Sequence, residues 1–176
     1  REGFSALETA IPRHCMQAFP LHAVEEAFES QALTAHLRGC KAAVLFAATL
    51  GVPADRLIRQ MEATDTLRAA VLHACAAAKI EAYCDAVQAS IPGASRPRFS
   101  PGYGDFPLSA QAKLLAMVGA EKRIGLYLTE GCMLVPAKSI TAVMGIGPPL
   151  EGCPESKCAR CGKTDCAFRG ERLLCN

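Results

Sequence analysis

Apolar positions along the chain fall into runs of different character. Residues 42–50 are apolar throughout, include Val, Phe and Thr, and stop at Gly51, which predicts a buried strand. Residues 67–87 are apolar nearly all round and rich in alanine. They sit in a helix predicted from a cap at Asp65 or Thr66 to about Ser90, just ahead of Pro92-Gly93. A helix without a polar face is expected to be buried. Pro53 opens a shorter helix, predicted to run to about Met61, where its missing N–H costs nothing.

The flanks are less regular. Residues 24–30 predict a short amphipathic helix, and residues 34–39 a helical turn closed by Gly39. Ser109 is predicted to cap a helix that runs through Val118 and ends at Gly119. Residues 124–130 and 139–146 predict two strands with Pro136 between them, and Gly147-Pro-Pro149 closes the fold. Strands and helices mix without strict alternation. The expected class is α+β, with a mainly antiparallel sheet packed on the long helix.

Between the long helix and the Ser109 helix lies Arg96-Pro-Arg-Phe-Ser-Pro-Gly-Tyr-Gly-Asp-Phe-Pro107. Two prolines and two glycines from Pro101 to Pro107 exclude a helix or a central strand and predict a tight, shaped loop. Arg98 offers a fork of donors that matches a carboxylate. Glycine lets a ligand come close to the backbone. Such a loop suits a small zwitterion with a flat ring, or it is a rigid connector with an exposed arginine. Glu81 lies within the apolar arc of the long helix, with Ala74, Ala77, Cys84 and Gln88 at helical spacing. A carboxylate buried there needs a cation or a ligand opposite, because leaving it unpaired would cost several kcal/mol.

The run Arg98-Phe-Ser-Pro-Gly-Tyr-Gly-Asp-Phe-Pro107, followed by Leu128-Thr-Glu-Gly-Cys-Met-Leu-Val-Pro136 and Lys138-Ser139, resembles the activation domain of cobalamin-dependent methionine synthase. Leu37-Arg-Gly-Cys-Lys41 through Ala47-Ala-Thr-Leu-Gly51 resembles the stand-alone version of that domain. The resemblance spans roughly residues 37–149 and implies a curved sheet flanked by helices. It implies S-adenosylmethionine as ligand. Arg98 would face the methionine carboxylate, and Glu81 the ammonium or ribose. The backbone of Ser100, Pro101 and Gly102 would cradle adenine. Tyr103 would lie where the ligand meets the corrin of a partner, and Glu130 in Leu-Thr-Glu would form part of the site wall. The fused enzymes carry further acidic and tyrosine contacts, and Pro92 and Met144 stand where two of these are expected.

The chain has 176 residues, 51% of them hydrophobic, enough for one real core. The expected division is residues 1–150 as a ligand-binding domain and residues 151–176 as a cysteine-rich tail. A net charge of +2 without a basic run gives no nucleic-acid footprint. The longest apolar run, residues 42–52, is too short to cross a bilayer. The opening Arg-Glu-Gly does not read as a secretory leader, so a cytoplasmic chain is expected. Of ten cysteines, Cys15, Cys40, Cys75, Cys84 and Cys132 fall in apolar or small-residue contexts and are expected to be buried thiols.

The other five crowd the tail. Cys153, Cys158, Cys161 and Cys166 stand at C-x4-C-x2-C-x4-C. In a reducing compartment that clustering points to a metal rather than to disulfides. The first three match a plant-type iron–sulfur spacing, while a structural zinc more often shows two close pairs. An iron–sulfur cluster is the first expectation, zinc the second, and an empty thiol tail the third.

The resemblance implies a reactivation partner that docks on the cobalamin-binding domain of a separate methionine synthase or related corrinoid protein. There it would support reductive methylation of inactive cob(II)alamin, with an electron from a donor the sequence does not name. No general base is expected, because the partner's cobalt is the nucleophile. The alternatives are an S-adenosylmethionine-sensing or assembly protein without repair activity, and an iron–sulfur relay for another corrinoid enzyme. A conventional Rossmann methyltransferase is not expected, because no glycine-rich strand-to-helix turn appears.

Overall fold

A computed structural model describes residues 7–93 and 96–148. Its centre is strand β2 (Ala42–Thr49), buried along nearly its whole length. Strand β1 (Arg13–Pro20) pairs with it antiparallel on one side, and β5 (Ser139–Ile146) does so on the other. Side chains on a strand alternate between faces. Val44, Phe46 and Ala48 therefore enter one core, and Ala43, Leu45 and Ala47 enter the other. A strand covered on both faces has no need of polar residues, which is why residues 42–50 read as an unbroken apolar run.

The first core lies under helices α3 (Val52–Glu62) and α4 (Thr66–Ser90). The second lies under α1 (Leu21–Ala27), α2 (Gln31–Leu37), α5 (Ala110–Val118) and α6 (Ala120–Ile124). The result is helix, sheet, helix in three layers. A hairpin of two short strands, β3 (Tyr127–Leu128) and β4 (Leu134–Val135), closes the second layer. Gln111 pins this hairpin to the sheet. Its Nε2 donates to the Cys132 carbonyl at 3.1 Å, and its Oε1 accepts from the Thr141 hydroxyl at 3.1 Å.

Helix α4 begins as expected, with the Asp65 side chain accepting from the Arg68 N–H at 3.0 Å. Its burial departs from expectation. Only Ala69, Leu72, Ala76, Ile80, Cys84 and Val87 are buried, a single stripe spaced three and four residues apart. Leu67 and Val71 lie in water. Composition misled here because alanine stabilises a helix as well outside as inside, so an apolar sequence need not mean an enclosed one.

Three other expectations are corrected. Residues 124–130 do not form one strand. Gly119 and Gly125 both take left-handed conformations, with φ of 63° and 67°, and between them they bracket the short helix α6. Only Tyr127 and Leu128 extend as β3. Strand β1 escaped notice because it is a sheet edge on which only Cys15 is buried and polar residues interrupt the apolar run. Cys75 and Cys132 are half-buried, whereas Cys15, Cys40 and Cys84 are buried as expected. Helix α1 also starts earlier, directly after Pro20, so Phe28 is free to leave it and join the second core.

Candidate functional site

The segment that leaves α4 runs antiparallel along the outer edge of β5. The Phe99 N–H donates to the Val143 carbonyl at 2.9 Å, and the Val143 N–H returns a bond to Phe99 at 2.8 Å. Strand-like alternation then decides where two neighbours go. Phe99 packs on the second core, and Arg98 turns towards α4.

Three polar residues of α4 meet Arg98. They are Glu81, Asp85 and Gln88, spaced i, i+4 and i+7 on one helix face. One guanidinium nitrogen, Nη2, sits 2.8 Å from Glu81 Oε2 and 2.7 Å from Asp85 Oδ1. The other, Nη1, reaches Gln88 Oε1 at 3.4 Å. The Arg98 side chain is 9% exposed, against 52% for Glu81 and 71% for Asp85. The cation is therefore sunk in the protein, and its anions stand between it and water. Burial alone would lower the Arg98 pKa, but the hydrogen bonds and charge of Asp85 and then Glu81 outweigh it and hold it raised. Below them, burial pushes the Cys84 thiol up to about 12, against the opposing pull of Arg98. That thiol is inert packing.

Glu81 is thus corrected. It does not lie in a buried arc but on the exposed flank of α4, and it meets a cation there without a large desolvation cost. Asp85 was missed, and Gln88 was noted at helical spacing but given no role. The signal that could have assigned them is their spacing from Glu81, which puts all three on one face.

The loop beyond Arg98 is shaped by its own bonds. The Gly102 N–H donates to the Phe106 carbonyl at 2.7 Å, Tyr103 to Ser100 at 3.1 Å, and Phe106 to Tyr103 at 2.9 Å. Pro101 is buried and Ser100 half-buried. The Tyr103 ring stands edge-on to Phe99, with centroids 5.7 Å apart, and is 43% exposed. Asp105 anchors the loop tip to the start of α2. It accepts from the Ser30 hydroxyl at 2.6 Å, the Gln31 N–H at 2.8 Å and the Ala32 N–H at 3.0 Å. These bonds, that from Ser30 first, hold its pKa below the ordinary carboxylate value. At Gly104, φ is +56° and a Cβ would lie 2.8 Å from that of Ala32, so only glycine fits.

The root of the loop is held by Arg96, which the sequence reading passed over. Its side chain is fully buried. Nε donates to the His36 carbonyl at 3.1 Å, Nη2 to that of Arg38 at 2.7 Å, and Nη1 to that of Pro148. A buried arginine solvated by backbone carbonyls is a structural clamp. Its aliphatic stem lies against Gly145, where a Cβ would come within 2.6 Å of Arg96 Cγ.

The structure therefore brings Arg98 and Glu81 together and places Ser100, Pro101, Gly102 and Tyr103 in the loop that follows. Glu130 lies elsewhere, exposed in the β3–β4 turn, and no described bond joins it to Arg98. Met144 is fully buried in the first core, and Pro92 is exposed beyond α4. Cys153, Cys158, Cys161 and Cys166 fall outside the described residues. Among the described residues, no group of three or more His, Cys, Asp or Glu gathers as a metal site, and no helix is long and apolar enough to cross a membrane.

A cavity of about 530 Å³ opens between α1 and α2, with Glu25, Phe28, Thr34, Arg38 and Asp105 among its walls. Arg98 is not one of them. Asp105, one of the cavity's charged wall residues beside Glu25 and Arg38, is already committed to α2.

No family model matches the sequence, and no curated protein does. Among solved structures, the crystal structure of the MetH reactivation domain bound to AdoHcy aligns with a TM-score of 0.55 and 22% identity. The fold is that of a MetH reactivation domain. The likeness covers 61% of this chain, which spans 40% of the neighbour's length. The reactivation-domain fold is shared in its mixed helices and antiparallel sheet.

Proposed function

We propose that this protein binds S-adenosylmethionine at Arg98 and Glu81. In this reading it serves as a reactivation partner for a separate cobalamin-dependent methionine synthase or related corrinoid protein. The observation that carries the reading is the sunken Arg98 guanidinium, which lies just before a proline- and glycine-shaped loop in sequence and is held by the acidic face of α4. A fold shared with a reactivation domain that binds AdoHcy supports it.

The ligand's carboxylate would take the guanidinium fork, and its ammonium the carboxylate so released. Ser100, Pro101 and Gly102 would carry the adenine end, Tyr103 would face the partner's corrin, and Glu130 would belong to a wall that the partner completes. The partner's cobalamin, with one electron from a separate donor, would supply the nucleophile that takes the sulfonium methyl and releases the neutral thioether. The protein's contribution is alignment, which gives a high effective molarity without a general base. The tail cysteines 153, 158, 161 and 166 would hold an iron–sulfur cluster, or zinc.

The test is calorimetric titration of S-adenosylmethionine into the wild-type protein and Arg98→Ala. Binding by the first and none by the second is expected, and equal heats would overturn the site. Rescue of cob(II)alamin-inactivated methionine synthase in trans tests the role. Iron and zinc quantitation before and after Cys158→Ser/Cys161→Ser tests the tail.

A further inference from the structure

The Arg98 cluster holds one cation and two carboxylates in mutual contact, a net charge of −1 (+1 − 1 − 1). Both carboxylates lie on its solvent side, at 52% and 71% exposure, while the cation lies beneath. An entering ligand meets the excess negative charge first. A carboxylate that engages Nη2 must displace at least one acid, because both converge on that one nitrogen. The displaced acid then faces the ligand's positive groups.

The three charges at this site mirror those of a particular ligand class: an α-amino acid that bears one further fixed cation. Its carboxylate matches Arg98, its ammonium one acid, and its second cation the other. A neutral thioether of the same shape leaves one carboxylate unmatched. Resting on the reading of the site given above, we propose that this cluster makes the protein selective for the sulfonium form, S-adenosylmethionine, over its demethylated thioether. Asp85, the more exposed of the two acids, carries the difference. The protein would then prefer a charged methyl donor to the spent product before any chemistry occurs.

The experiment measures both affinities by calorimetry for the wild type and Asp85→Asn, with thermal melting to show that the variant folds. An exposed ion pair supports a preference of up to about fivefold. The expected result is such a preference for S-adenosylmethionine in the wild type and a ratio near unity in Asp85→Asn. In the wild type the ratio should also fall as salt rises from about 0.05 M to about 0.5 M, because exposed charges are screened. A ratio unchanged by the substitution overturns the proposal, whether both affinities rise, fall or stay. Heats from neither ligand in any variant remove the site itself, and the selectivity with it.

Discussion

The Arg98 guanidinium and the Asp85 carboxylate are 2.7 Å apart, yet one is 9% exposed and the other 71%. A pair so divided is fixed from one side only. The protein packs the cation in place, and the anion can swing into water at little cost. Arg98→Lys tests the importance of the fork, because an ammonium is a point charge that cannot bridge two acids and a ligand. S-adenosylmethionine affinity is expected to fall about tenfold, the worth of one hydrogen bond to a charged group, as read by calorimetry.

Arg96 should matter to stability and not to ligand chemistry. Arg96→Met keeps much of the stem but removes the guanidinium that donates to the carbonyls of His36, Arg38 and Pro148. A loss of about 3 kcal/mol in urea unfolding is expected. A loss below about 0.5 kcal/mol would show that water replaces the guanidinium without penalty.

Gly104→Ala should loosen the loop tip. The substitution meets both a left-handed φ and the Ala32 side chain. A cost of about 1–3 kcal/mol is expected. It should appear as faster amide exchange at Gln31 and Ala32, whose N–H groups Asp105 holds, while exchange in β2 stays unchanged.

His14 sets a pH dependence. Its Nδ1 lies 2.6 Å from the Tyr83 hydroxyl, and its ring stacks on Phe46. Burial first, and then the charge of Arg123, lower its pKa from 6.5. Below pH 6.5 the unfolded chain therefore binds a proton that the folded chain refuses, so stability falls as pH drops towards the folded value. In His14→Gln that contribution to the slope should vanish. Chemical unfolding of both proteins at about pH 8 and pH 5 reads the difference, and parallel curves would remove His14 as the cause.

Much of the scaffold could be read from local rules. β2 and β5 appear where apolar runs place them, and α3, α4 and α5 begin and end near their proline, aspartate and glycine marks. The failures share a cause. β1 is an edge strand, and its pairing with β2 is a long-range fact that no window of sequence contains. α6 depends on two glycines acting together, and five residues are too few to show a helical period. At the candidate site, Arg98 stood out by its loop and Glu81 by its place on α4. Asp85 and Gln88 become meaningful only once the β5 edge fixes which way Arg98 points. Arg96 was invisible for the same reason, because its three partners all lie far from it in the chain.

The carbonyl of Pro148 and the base of the Arg98 loop hang on one guanidinium. Arg96 thus ties the last described residue of the chain to the segment that carries Arg98, two positions away in sequence.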